Sequence, residues 1–439
     1  MIIQQFYDKG LAQASYAIIS EGQLALIDPV RDVQPYYDFA KQNNAKLLAI
    51  IETHLHADFI SSHLELAQAT GAKIYVSAIA EAQYPHEPFD DDTSIHLGKV
   101  TLTAINTPGH SPDSISILLR DEHKRPYAIF TGDTLFAGDV GRPDLRESEV
   151  DTKEGLARVL YYSLHKRILG LADDVLVYPA HGPGSLCGKN LGPELFTTIG
   201  KEKNANRLLL LQDENDFVEQ LLQDQPYVPK YFRYNVQLNR KGALCPVSTI
   251  KNIPHLPKGH VFSSADLVVD IRPKEVFKAA HTGGAINIPL IKNFETWLGS
   301  IIAADEKFYF MGSSEAQLQE AAYRAASIGY EVNIKGMAEA SVKGVKTIPL
   351  NLADFKNNRY NYTIVDIRNP SETTIKIFPE AILIPLPELR ERLEEIPSAK
   401  PIVVHCAGGT RSAIGVSILE KYLTTKVFDL GEDITSFVF

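Results

Sequence analysis

The chain has 439 residues, of which 44% are apolar and 22% charged, with a formal net charge of −10. That length exceeds one ordinary domain, and roughly three are expected at about 150 residues each. The acidic balance argues against a nucleic-acid surface, and a small anionic substrate would need positive charge placed locally in a pocket. There are three cysteines, Cys187, Cys245 and Cys406. A sparse, odd set makes no disulfide framework and fits a reducing cytoplasm. The opening MIIQQFYDKG has no basic segment followed by an apolar run, and no apolar stretch reaches about 18 residues. Neither a signal peptide nor a membrane span is expected.

Residues 1 to about 197 alternate short apolar strands with amphipathic helices. The strand-like runs are LALID (24–28), LLAII (47–51), KIYVS (73–77), YAIFTGD (127–133) and DVLVYPAHG (174–182). Several end in His or Asp before a turn, and loops above a sheet are where sites are commonly built. In order come His54, His56 and Asp58 in THLHAD, His110 in NTPGHSPDS, Asp133 in TGDTLF and His181 in YPAHGPG. Imidazole and carboxylate suit Fe, Zn and Mn. Each histidine alone reads as a capped or buried structural residue; the whole series points to a metal centre. Next, KEKNANRLLLLQDENDFVEQLLQ has helical composition, and the Tyr- and Pro-rich YVPKYFRYNVQLNRKG reads as a linker.

The remainder contains a repeat. LVVDIRPKEVFKAAHTGGAINIPL (267–290) aligns with TIVDIRNPSETTIKIFPEAILIPL (363–386): strand, Asp-Ile-Arg, helix, strand. Downstream, KFYFMGSSEAQLQEAAYRAASIGY aligns with PIVVHCAGGTRSAIGVSILEKYL, each a strand, a tight loop and a helix. In the second copy the loop runs from Cys406 through Ala407, Gly408, Gly409 and Thr410 to Arg411. Backbone N–H groups and a helix N-terminus there would stabilise a thiolate or persulfide anion on Cys406, and Arg411 adds positive charge. The first copy has Gly312 and Gln317 at the places of Cys406 and Arg411.

The motifs T-H-x-H-x-D, P-G-H-S, G-D-T and P-A-H-G resemble those of the metallo-β-lactamase fold, which implies a four-layer αββα sandwich with metal at one edge. That family carries a second-metal histidine directly after the motif aspartate. Phe59 stands there and has no lone pair, so one metal position is expected to survive and the other to be crippled. Within the family this pattern resembles the persulfide dioxygenase branch. The resemblance implies one Fe(II) per chain on His54, His110 and Asp133, with His56, Asp58 and His181 orienting ligands and waters. Arg142, in VGRPDL, falls where the branch has Gly-Arg and is expected to contact an anionic substrate; a surface salt bridge is the plainer alternative. The loop GPGSLCGKNLG carries Cys187 and Lys189. Its glycines allow close approach to a ligand, and Cys187 reads either as a sulfur relay or as a free loop thiol.

The Cys406–Arg411 loop resembles the rhodanese active site, with Asp366 and Arg368 in support. A tyrosine-phosphatase-like loop would be one residue longer. The expected organisation is an α/β multidomain chain: a metallo-β-lactamase-like domain with helical extension and linker at 1–250, an inactive rhodanese at 251–345 and an active rhodanese at 346–439. The whole resembles bacterial persulfide dioxygenase–sulfurtransferases of sulfide detoxification. That implies O2 and a small-molecule persulfide (of glutathione, coenzyme A, bacillithiol, cysteine or inorganic sulfide) giving sulfite, and transfer of sulfur from Cys406 to sulfite giving thiosulfate. A cytoplasmic homo-oligomer, dimer or tetramer, is expected. Two alternatives stay open: a Zn-dependent glyoxalase-II-like thioester hydrolase with an attached sulfurtransferase, and a non-catalytic sulfur carrier or sensor.

Overall fold

The computed structural model describes residues 1–148, 150–341 and 344–437. The chain forms two compact units: Met1–Cys245 with Ser327–Gly329, and Pro246–Ala326 with Tyr330–Phe439.

The first unit is built on two six-stranded sheets. One runs from an antiparallel meander, Ile2–Asp8, Gln13–Ser20 and Gln23–Ile27, into the parallel strands Lys46–Ile51, Lys73–Val76 and Glu87–Pro88. The other is antiparallel from Ser94–Leu97 to Pro126–Gly132, then adds Leu176–Pro179 in parallel and closes with Thr197–Thr198. Successive side chains of a strand face opposite sides, which explains why Gln13–Ser20 is buried throughout. Tyr16 and Ile18 meet Leu102, Ile117 and Phe130 between the sheets. Ala17 and Ile19 face the other way, toward Tyr36 and Leu66 on the helices Gln34–Gln42 and His63–Thr70. On the far side, Leu118 and Ile129 pack under Leu160 and Phe217, from Lys153–Tyr162 and Glu214–Leu222. This is the αββα sandwich the motifs implied.

The stretch of helical composition forms two helices, Ile199–Ala205 and Glu214–Leu222. Asp213 starts the second by accepting the N–H groups of Asn215 and Asp216 at 2.8 and 3.2 Å, a cap that favours a fresh start over continuation. The Tyr- and Pro-rich linker contains the helix Phe232–Lys241, which buries Phe232, Asn235, Val236 and Asn239. That i, i+3, i+4, i+7 spacing is one helical face.

The second unit holds two wholly parallel sheets. The first orders its strands His255–Leu256, Ile334–Glu339, Phe308–Gly312, Val268–Asp270, Ile286–Asn287. The second orders them Ile382–Leu383, Thr363–Asp366, Ile402–His405, Val427–Asp429. Covered on both faces, such strands read as continuous apolar runs. The repeat departs from expectation at one place. After Asp-Ile-Arg the first copy has the helix Lys274–Ala279, while the second has a 3-10 turn, Pro370–Glu372. The β-branched Thr373, Thr374 and Ile375 that follow disfavour helix there. Among the described residues no helix is long and apolar enough to cross a membrane.

Candidate functional site

The metal-motif residues meet at one edge of the sandwich because each follows a strand end. His54 comes just after Lys46–Ile51, His110 after Val100–Asn106, Asp133 directly after Pro126–Gly132 and His181 just after Leu176–Pro179. Gly132 has φ +51°, and a Cβ there would lie 2.6 Å from Thr53 Oγ1, so only glycine allows this approach.

His54, His110 and Asp133 are buried and offer one donor atom each within 4.8 Å of one another. His110 Nε2 is 3.4 Å and His54 Nε2 4.0 Å from Asp133 Oδ2. The outer nitrogens are engaged. His110 Nδ1 donates to the Arg142 carbonyl at 2.9 Å. Thr53 Oγ1 donates to Asp28 Oδ2 at 2.8 Å, so its oxygen can accept from His54 Nδ1 at 3.0 Å. Both rings therefore turn an Nε2 lone pair toward Asp133. Burial, aided by neighbouring positive groups, holds His54 well below the ordinary histidine range; burial also lowers His110, against the pull of Asp133. Neutral imidazoles are what a cation binds. Asp133 Oδ1 and Oδ2 are buried without a hydrogen-bond partner among the described residues, and a carboxylate so placed is costly unless a cation compensates it. The donor set fits one metal ion.

The neighbouring groups divide in two. His181 donates Nδ1 to the Ala12 carbonyl at 3.1 Å and turns Nε2 to 3.4 Å from both Asp58 Oδ2 and Asp133 Oδ1. Cys187 completes a buried trio with Asp58 and His181 whose donors also lie within 4.8 Å. Burial, then the charges of Asp133 and Asp58, push the Cys187 thiol well up. His56 belongs to a different buried trio, with Nε2 3.1 Å from Asp28 Oδ1 and 3.6 Å from Glu52 Oε2. Burial opposes its charged form, but these carboxylates outweigh burial and raise its pKa. The Phe59 ring packs on His56 at 4.3 Å between centroids.

The two cations expected to contact substrate, Arg142 and Lys189, have protein partners. Arg142 is 1% exposed. Its guanidinium donates to both Asp144 oxygens and to the carbonyls of Leu186 and Pro226. Lys189 Nζ donates to the carbonyls of Gln220, Leu221 and Gln223 at a helix end, where a cation suits the dipole. Both cations tie loop carbonyls together. The guanidinium whose field reaches His54 and His110 is that of Arg146, held by Asp113 Oδ1 at 3.2 Å. Asn239 is a second residue the motifs did not reveal. Its amide donates to the carbonyls of His56 and Phe59, both at 2.8 Å, and accepts from Ser61 N at 2.9 Å.

In the second unit Cys406 follows Ile402–His405, is 1% exposed, and accepts the Gly409 N–H on Sγ at 3.1 Å. Gly409 adopts φ +87° and begins the helix Thr410–Tyr422. Arg411 grips Glu372 with two bonds of 2.6 Å. Arg368 grips Asp366 and also donates to the Glu372 carbonyl at 2.8 Å. Glu372 is a third residue sequence reasoning missed, although Asn369 and Glu372 form a capping box, which is a readable local signature. The first copy keeps the fork, Arg272 on Asp270. At Gly312 there is no thiol, and Gln317 Oε1 accepts the Ser313 N–H at 2.8 Å.

Residues 8–181 match the metallo-beta-lactamase superfamily model and residues 351–438 the rhodanese-like domain model. The persulfide dioxygenase ETHE1, mitochondrial, of Homo sapiens is 34% identical over 199 residues, spanning 45% of this chain and 70% of that protein. A hydroxyacylglutathione hydrolase of Francisella philomiragia subsp. philomiragia is 32% identical over 177 residues, spanning 40% of this chain and 65% of that protein. A crystal structure of a metallo-beta-lactamase from Staphylococcus aureus subsp. aureus COL aligns with a TM-score of 0.69 at 32% identity, covering 77% of this chain and 99% of that one.

Proposed function

The chain belongs to the metallo-beta-lactamase superfamily, and from that premise we propose that it is an Fe(II) persulfide dioxygenase joined to a thiosulfate-forming sulfurtransferase. The observation that carries this is one buried His54–His110–Asp133 donor set on the same chain as a cysteine-bearing rhodanese-like loop. A two-His, one-carboxylate set leaves coordination positions open, and iron, when bound, supplies the redox chemistry toward O2 that zinc lacks. The first reaction is RSSH + O2 + H2O → RSH + SO3²⁻ + 2H⁺.

This chain's residues set the conditions. His54, His110 and Asp133 hold the ion. Thr53 and the Arg142 carbonyl fix the imidazole tautomers. Asp58 and His181 orient a water or the terminal sulfur beside Asp133. Arg146 supplies the local positive charge that an anionic persulfide needs in an acidic protein. In the second unit Cys406 takes a sulfane sulfur, RSSH + Cys–S⁻ → RS⁻ + Cys–SSH. The persulfide then passes it on, Cys–SS⁻ + SO3²⁻ → Cys–S⁻ + S2O3²⁻. We assign these steps to 346–439 and read 251–345 as a rhodanese-like segment without the nucleophile. Tethering the two sites raises the effective concentration of sulfite at the second.

Similarity to the hydroxyacylglutathione hydrolase favours a second reading, a zinc thioesterase. The deciding experiment measures O2 uptake by Fe(II)-loaded protein on addition of glutathione persulfide, with Cys406→Ser alongside. Uptake by both, with sulfite accumulating in the variant and thiosulfate in the parent, is expected. No uptake, together with thioester cleavage by the zinc form, overturns the proposal in favour of the hydrolase.

A further inference from the structure

Within the second unit, the segment that lacks a nucleophile meets the one that has it through charge. From the helix Lys274–Ala279, Lys278 Nζ lies 2.6 Å from Asp429 Oδ2 and Lys274 Nζ 3.0 Å from Glu432 Oε1. The two pairs are unequal. The Glu432 side chain is 79% exposed, and such pairs contribute little. The Asp429 side chain is 3% exposed, and a buried carboxylate deprived of its partner is strongly unfavourable. Asp429 also faces Glu420. Burial first, then the charge on Asp429, pushes Glu420 up to about 7, and Lys278 opposes that rise.

Asp429 is tied to the reactive loop through its other oxygen. Oδ1 accepts the Gly431 N–H at 2.8 Å, holding a turn in which Gly431 has φ +59°. Gly409 is pressed against that turn. A Cβ on Gly409 would lie 2.9 Å from the Gly431 carbonyl carbon and 3.0 Å from Glu432 N. Gly409 N–H in turn donates to Cys406 Sγ at 3.1 Å. A continuous chain of contacts thus runs from Lys278 through Asp429, Gly431 and Gly409 to the sulfur.

We propose that Lys278 is a positioning residue for Cys406, and that the nucleophile-free segment is a working part of the sulfur-transfer site. Lys278 neutralises Asp429, Asp429 sets the Gly431 turn, and the turn sets the Gly409 amide against the sulfur. This rests on the reading of Cys406 as the sulfur-carrying nucleophile.

The test follows the rate at which Cys406 of the full-length protein gains one sulfur atom from glutathione persulfide, read by mass spectrometry of the Cys406 peptide. Lys278→Met should load about tenfold more slowly. Lys278→Arg should stay near the parent rate. The double variant Lys278→Met/Asp429→Asn should recover, because the amide needs no counter-charge and its oxygen still accepts the Gly431 N–H. Lys278→Met/Asp429→Ala should remain slow, because that acceptor is gone. These two doubles carry the test if Lys278→Met alone does not fold. Parent-like loading by Lys278→Met, or equal rates for the two doubles, overturns the inference while leaving Cys406 as nucleophile. Failure of the parent to load sulfur removes the functional reading, and this inference with it.

Discussion

The two parallel-sheet segments of the second unit share a scaffold and differ in what the loop after the central strand contains. Both hold an Asp-Ile-Arg fork in which the arginine grips the aspartate two residues before it. Both launch a long helix after that loop, Glu315–Ala326 and Thr410–Tyr422. In the first, Gln317 folds back and its oxygen takes the Ser313 N–H. In the second, a backbone N–H of the loop points at Cys406 Sγ, and Arg411 stands beside it, paired with Glu372. The fork is therefore common to both segments, and what differs is whether a loop N–H is taken by a glutamine oxygen or points at a thiol sulfur.

The largest expected effect is total. Cys406→Ser should abolish thiosulfate formation while O2 uptake continues. Gly312→Cys should create no transferase, because Gln317 still occupies a loop donor. Thiosulfate formation by Gly312→Cys alone in a Cys406→Ser background would break the comparison, because the Gln317 bond to the loop is still in place there. Next in size are the forks. Arg272→Ala and Arg368→Ala each strand a buried aspartate, and each should lower stability by about 3–5 kcal/mol, seen in thermal unfolding. Arg368 also holds the Glu372 carbonyl. Its loss should reduce sulfur transfer at temperatures where the variant remains folded, and by more than loss of Arg272, which holds the Ala280 carbonyl behind the helix that carries Lys278. Equal losses in both would mean that the fork acts on stability alone.

A third difference lies one residue before the loop, where one segment has His405 at the position that Met311 holds in the other. Burial pushes His405 down to about 4, against the pull of Asp366. The unfolded value is near 6.5, so the unfolded chain takes up the proton first as pH falls. Stability is thus full above about 6.5 and is lost between there and about 4, by up to about 3 kcal/mol. His405→Met should flatten that acid limb in denaturant titrations. An unchanged limb would assign the acid sensitivity to other groups.

The parts of this molecule that were legible in sequence are those written locally. His54, His110, Asp133 and His181 were readable because each follows an apolar strand and carries ligand chemistry. Cys406 was readable because its small-residue loop joins a strand to a helix. Asn239 was not, because its partners His56 and Phe59 lie 183 and 180 residues away. Its helix also hid in a stretch whose tyrosines and prolines resemble a linker. Arg142 and Arg146 show the same limit at short range. Both sit in one turn of VGRPDLR, and composition does not tell which guanidinium is buried on Asp144 and which stands near the histidines. Phe59 is legible as a side chain without a donor, but that Cys187 joins Asp58 and His181 depends on a loop closing 128 residues after Phe59.

The smallest effect concerns Glu372, which has no counterpart in the first segment's loop. Its carboxylate holds both of the Arg411 donors that an anionic acceptor would want. Side-chain exposure is 17% for Arg411 and 32% for Glu372, so the pair is partly solvated and its removal is worth only about 0.5–1 kcal/mol. Glu372→Gln should therefore lower the KM for sulfite a few-fold and sharpen inhibition by other small anions, with kcat nearly unchanged. The direction follows from competition: a carboxylate held by the guanidinium must yield before sulfite can take its place, and a neutral amide yields more readily. A KM that rises instead would mean that Glu372 holds Arg411 in its productive position, so that losing the pair costs more in orientation than it returns in free charge.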